Sequence, residues 1–156
     1  MIADRRSLLR ALPAALLCSG AAAADSDHDQ IAALIRKYAA SIDAADTNLA
    51  SEVWSDSPDV SFIHPLGWEH SLAEIKQNVY GRIMGGMFSR RKLEPQNPAI
   101  HVYGDAGWSE FVWNFNAVRA GSGAALHTTG RETQIYRREP AGWRLVHVHY
   151  SSPVKP

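Results

Sequence analysis

The sequence predicts an α+β domain in which helices pack on one face of a strongly curved antiparallel sheet. Two observations carry this. Helical periodicity is confined to the first half of the chain, and the second half reads as strands separated by short turn segments. Helices first and a long meander last is the order expected when the helices segregate to one face of a single sheet, and a curved sheet leaves a pocket at its open end. With 156 residues, 46% of them apolar and 21% charged, the chain has the size and composition of one packed domain.

The first 24 residues precede that domain. The segment DRRSLLRALPAALLCSGAAAAD has a basic start, an Ala/Leu-rich middle and a small-residue exit, which is the composition of an export signal. Its apolar part, Ala11 to Ala24, is short for a membrane span. Cleavage after Ala22 to Ala24 would make Asp25 the mature N-terminus. Arg5 and Arg6 fit a twin-arginine signal or an ordinary secretory one, and either predicts a periplasmic or secreted protein. Cys18, the single cysteine, lies inside this segment, so the mature domain is expected to hold together without a disulfide. Beyond residue 24 there are 13 basic and 15 acidic residues, a net of −2, and no basic cluster suited to nucleic acid or an anionic membrane.

Within residues 25–156 the first element is a helix in which Ile31, Leu34, Ile35, Tyr38 and Ile42 form one apolar face, with Ser26 and Asp29 as its start signal. A short helix from Asn48 to Trp54, capped by Thr47, ends at the breaker SDSPD. Val60 to Ile63 reads as a strand. Pro65 holds His64 extended at its end, and Gly67 permits the turn. The capping box Ser71 to Glu74 opens a third helix with the stripe Leu72, Ile75, Val79 and Ile83. Strands are expected at Phe88–Leu93, Ile100–Tyr103, Trp108–Arg119, Ala125–Arg138 and Trp143–Ser151. The separators YGDAG, AGSGA and EPAG have turn chemistry.

Several residues could carry chemistry. His147 and His149 are two apart on a strand and share a face, so with His64 they could line a pocket or form a three-histidine zinc site. No carboxylate is spaced to them as in a known zinc motif, and the favoured reading has no metal and no cofactor. Glu132 alternates with Gly130, Gln134 and Tyr136 on one face of its strand, and Arg131, Thr133 and Ile135 take the other, with the inward face undetermined. Trp108, Phe111, Trp113, Phe115 and Tyr136 together offer more apolar bulk than one pocket needs, which predicts a homodimer or higher homo-oligomer.

Three landmarks resemble the superfamily that joins nuclear transport factor two, ketosteroid isomerase and the SnoaL-like polyketide cyclases. Tyr38 has the place of the isomerases' helix-1 tyrosine. The corner His64-Pro65-Leu66-Gly67 stands where they carry Asp-Pro-Val-Gly with a catalytic aspartate. The stretches NPAIHVYGDA and RETQIYRREPAGWRLVHVHYSSP are similar to the association domain of calcium/calmodulin-dependent kinase two and its bacterial relatives. Glu132, Thr133, Trp143, His147, His149 and Ser151 match position by position. Arginines which that branch places in its pocket fall at Trp113 and Gln134 here, and the isomerases' second oxyanion acid has no clear counterpart.

The resemblance implies a cystatin-like cone over residues 25–156. It implies a pocket for a small apolar molecule, with His64 as proton acceptor, Tyr38 as oxyanion donor and Trp113, Glu132, His147 and His149 as ligand contacts. Isomerase, cyclase or lyase chemistry is one reading of such a pocket, and a non-catalytic association domain is the other.

Overall fold

A computed structural model describes residues 26–152, so the expected export signal lies outside the described residues. The first helix, α1 (Asp27–Ala44), starts where the Ser26 hydroxyl accepts the Asp29 N–H, and it ends at Ala45 in the left-handed conformation, φ 52°. All five stripe residues, Ile31, Leu34, Ile35, Tyr38 and Ile42, are buried. The second helix, α2 (Thr47–Val53), is capped by Asp46 and not by Thr47. Its carboxylate accepts the N–H groups of Asn48 and Leu49, so the helix starts one residue earlier than expected.

Strand β1 (Ser61–His64) turns at Pro65-Leu66 into an unforeseen short strand, β2 (Gly67–Glu69). The third helix differs most from expectation. After one α-turn, α3 (Leu72–Glu74), the chain widens into a π-helix, Ile75–Gly85. Bonds from i to i+5 put Ile75 and Tyr80 on one side, whereas an α-helix would turn Tyr80 away from the Ile75–Val79 stripe. Ile75, Val79 and Tyr80 are all buried. The Tyr80 hydroxyl meets Ser41 Oγ at 2.8 Å and accepts Trp54 Nε1–H at 3.3 Å, tying the helix to α1 and to the end of α2.

The remaining strands are β3 (Phe88–Tyr103), β4 (Ala106–Arg119), β5 (Ala125–Glu139) and β6 (Gly142–Ser151). The order across the sheet is β2-β1-β6-β5-β4-β3. Expected as two strands, β3 is one strand with a register shift between Gln96 and Ala99. Its Pro95 and Pro98 are tolerated because β3 is an edge and need not donate to a further neighbour. The sheet is antiparallel except where β1 lies parallel to β6.

Alternation then decides which residues face the helices. Phe111, Trp113, Phe115 and Ala117 of β4 and Gly130, Glu132, Gln134 and Tyr136 of β5 point inward and are buried, so the inward face of β5 is the Glu132 face. Four of the five aromatics taken as interface bulk are therefore core, and only Trp108 remains on the outer side, half-buried. At the far end of α1, Arg91 donates to the carbonyls of Asp43, Met84 and Phe88 at 2.6–3.0 Å, joining three chain segments at the rim of the sheet.

Gly130 is required by a close approach. A Cβ there would lie 2.0 Å from the Ser151 carbonyl oxygen and 2.4 Å from the Trp113 ring. Since both neighbours sit on hydrogen-bonded strands, Gly130→Ala is expected to cost about 3 kcal/mol or more. Thermal denaturation of the variant measures it, and a loss below about 1 kcal/mol would mean that the two strands yield easily.

Candidate active site

Between α1, the end of the π-helix, β3 and the inner face of the sheet lies a cavity of about 150 Å³. Its wall is mostly apolar, with Ile42, Ile83, Met84, Phe88, Leu93 and Phe115 prominent. Tyr38, Trp113, Glu132 and Tyr150 supply most of its polar groups. Among the described residues, no lysine, arginine or histidine lines it.

Glu132 is 3% exposed and sits at the end of a chain of hydrogen bonds. Gln134 Nε2 donates to its Oε1 at 2.6 Å, and Gln134 Oε1 accepts the Tyr136 hydroxyl at 2.6 Å. That commits the single Tyr136 proton, so Ser109 Oγ, 2.6 Å away, is the donor in the last link. From the opposite side the Tyr38 hydroxyl donates to the Glu132 carboxyl. Burial raises the Glu132 pKa from 4.5 to about 7, with the bonds from Gln134 and Tyr38 opposing the rise. A carboxyl that is half ionised near neutrality and faces a cavity can both take and return a proton. The same burial drives the Tyr38 pKa well up and that of Tyr150 to about 12, so both phenols stay protonated donors.

His64 has a different place from the one expected. It is 7% exposed. Its Nε2 bonds Glu69 Oε2 at 2.7 Å, and its Nδ1 accepts the Leu66 N–H at 3.2 Å. The second bond leaves the ring proton on Nε2, pointing at Glu69. Both nitrogens are thus engaged within the β1–β2 hairpin, and the ring is not part of the cavity lining. Its face stacks on Tyr150, centroids 6.0 Å apart and planes 10° from parallel. His64 acts on the site at one remove, by holding a tyrosine that lines it.

His147 and His149 also lie elsewhere. In the parallel pairing of β1 with β6 they stand beside Ser61 and Ile63, and so on the outer face, opposite to Phe62 and His64. His147 Nδ1 bonds Ser61 Oγ at 2.8 Å, and His149 is exposed. A three-histidine site is excluded because His64 and this pair occupy opposite faces of the sheet. Of the expected site residues the cavity gathers Tyr38, Trp113 and Glu132. Tyr150, Gln134 and Glu69 were not foreseen. Tyr150 was readable as the inward neighbour of Val148 only once the face of β6 was known, and Glu69 only once the short hairpin was.

This fold, with helices packed over a curled sheet and an apolar pocket that also carries a carboxyl, is that of the nuclear transport factor 2-like class. A SnoaL-like domain model matches residues 31–155, and the chain belongs to that family. Among solved structures, a nuclear transport factor 2-like superfamily protein from Salmonella enterica serovar Typhimurium is 48% identical, with a TM-score of 0.80 over 83% of this chain and 92% of that one. A cystatin-like nuclear transport factor 2-like protein from Novosphingobium aromaticivorans is 20% identical, with a TM-score of 0.67 over 83% and 84% of the two chains. A domain from Xanthomonas campestris, provisionally assigned as a calcium/calmodulin-dependent protein kinase II association domain, is 16% identical, with a TM-score of 0.70 over 85% and 91%. No protein of curated function matches the chain in sequence.

The raised pKa of Glu132 has a consequence for stability. The folded protein holds this proton more tightly than the unfolded chain does. The corresponding stability is fully present below about pH 4.5 and is lost as the pH rises toward about 7. This one group should account for a loss of about 3 kcal/mol across that window. Denaturant unfolding at a series of pH values checks this, with Glu132→Gln expected to flatten the profile and to exceed wild type in stability at pH 8.

Proposed function

We propose that this chain is an exported SnoaL-like enzyme that moves a proton on a small, uncharged, largely apolar molecule. The observation that carries the proposal is Glu132, a buried carboxyl facing an apolar cavity with a pKa of about 7 and donors on two sides. As a carboxylate it takes a proton from a carbon made acidic by a neighbouring carbonyl. As the acid it returns that proton to another position or to a leaving group, which covers isomerisation and elimination alike. Tyr38 holds the carboxyl in place and favours its ionised form through the hydrogen bond. This role replaces the proton-accepting one first expected of His64, whose nitrogens are both in use.

The test is exchange of the α-protons of cyclohexanone in deuterium oxide, followed by NMR. Wild type should accelerate exchange with a rising pH dependence centred near 7. Glu132→Gln should lose about a hundredfold or more of that rate while remaining folded. Tyr38→Phe, which deletes a donor to the carboxylate, should move the midpoint to higher pH. Undiminished exchange in Glu132→Gln would defeat the proposal.

The proposal extends to export and self-assembly. Val112 and Ile135 stand 49% and 40% exposed on the outer face of the sheet, beside His147, His149 and Trp108, and a second copy of the chain would cover them. Protein recovered from the periplasm should begin at Asp25 by mass spectrometry and scatter light as a dimer or larger. A monomer retaining residues 1–24 would contradict both parts.

A further inference from the structure

The sheet separates His64 from His147 and His149 and leaves the latter two together. They are alternate residues of β6, so both side chains leave the outer face, about 6.6 Å apart along the strand. Neither serves the cavity, whose wall is on the other face. The cross-strand neighbours are Ser61 and Ile135 for His147, and Ile63 and Thr133 for His149. No charged residue stands directly opposite either ring.

The hydrogen bonding of the pair is one-sided. His147 Nδ1 bonds Ser61 Oγ at 2.8 Å, while Nε2, at the tip of the ring, has no partner among the described residues. His149 is exposed, and neither of its ring nitrogens is bonded among those residues. With Nδ1–H donating to the serine, the Nε2 lone pair of His147 is free. A hydrogen bond to one ring nitrogen is the device that fixes the tautomer and the plane of an imidazole binding a metal through the other. Burial and the neighbouring His149 ring both lower the pKa of His147, which keeps it in the neutral form that coordinates.

From this placement we infer that His147 and His149 form a two-nitrogen chelate for a divalent transition-metal ion, with Cu²⁺ preferred. Among the described residues no three His, Cys, Asp or Glu side chains are placed to hold one ion together, so the chain supplies two positions and water the others. Two metal–nitrogen bonds of about 2.0 Å require ring nitrogens roughly 3 Å apart, which imidazoles on alternate strand residues reach by leaning together. Imidazole without carboxylate or thiolate disfavours Mg²⁺, Ca²⁺ and Cu⁺, and the affinity of nitrogen ligands for divalent ions peaks at Cu²⁺. Serine and histidine thus do different work: Ser61 orients one ring, and the second ring closes the chelate. Because the pair lies across the sheet from Glu132, the inference needs neither the reaction proposed for the cavity nor a second copy of the chain.

The test titrates untagged protein with Cu²⁺ against glycine as a competing chelator, followed by electron paramagnetic resonance. Wild type should show a saturable site whose spectrum carries the hyperfine splitting of two imidazole nitrogens. His147→Asn and His149→Asn should each weaken it about a hundredfold, because a lone imidazole loses the advantage of a second one held beside it. Ser61→Ala, which removes no metal ligand, should weaken it about tenfold by freeing the His147 ring. Should a variant fail to fold, paramagnetic broadening of the wild-type NMR spectrum gives the same answer, and it should centre on the His147 and His149 rings. Unchanged affinity in either histidine variant, splitting from a single imidazole nitrogen, or broadening centred on other histidines such as His28 or His70 overturns the inference.

Discussion

The carboxyl of Glu132 is the group around which the interior is arranged. An isolated carboxylate inside an apolar wall would be costly enough to be expelled or permanently protonated. It is tolerated because Gln134 and Tyr38 both donate to it. Gln134 can donate in the right direction because its amide oxygen is fixed by Tyr136, and Tyr136 because its own oxygen accepts from Ser109. Three residues on two neighbouring strands and one on α1 thus define the ionisation of a single group. The balance between burial and donation leaves its pKa near neutrality, where a stronger network would have fixed the anion and a weaker one the acid.

Around this centre the helices serve as walls. Tyr80 draws the π-helix against α1 and Trp54, and Arg91 holds the carbonyls at the ends of α1 and of that helix to β3. The β1–β2 hairpin closes another side. In it the buried His64–Glu69 pair fixes the turn through the Leu66 N–H and supports Tyr150 by stacking. Removing either member would leave the other polar and buried, which makes the pair a rigid structural unit. Histidine at this corner therefore shapes the wall, and the carboxyl that faces the cavity is the one on β5.

The packing of Trp113 sets one part of the cavity wall. The glycine opposite it admits the indole over the sheet backbone, and the tyrosine beside it fixes the ring plane.

Much of this was legible in the sequence. The stripe of α1, the meander of β4 to β6 and the α+β class follow from periodicities of 3.6 and 2, which are local and survive any tertiary arrangement. The cluster of Tyr38, Trp113 and Glu132 was named from the chain alone, through the resemblance of its landmarks. Three things were decided only by the tertiary structure. The π-helix exists because Tyr80 is drawn to Ser41 and Trp54, partners 39 and 26 residues away that no local pattern announces. The sheet faces were undetermined because alternation gives two sets of residues and not which set meets the helices. That choice put Glu132 inside and His147 and His149 outside. The fate of His64 turned on Glu69, five residues along, which becomes its partner only through a hairpin whose second strand is three residues long. Sequence fixes which groups are present and which can share a face, but protonation, partnership and access depend on distances across the fold, and those arise only when the faces close on one another.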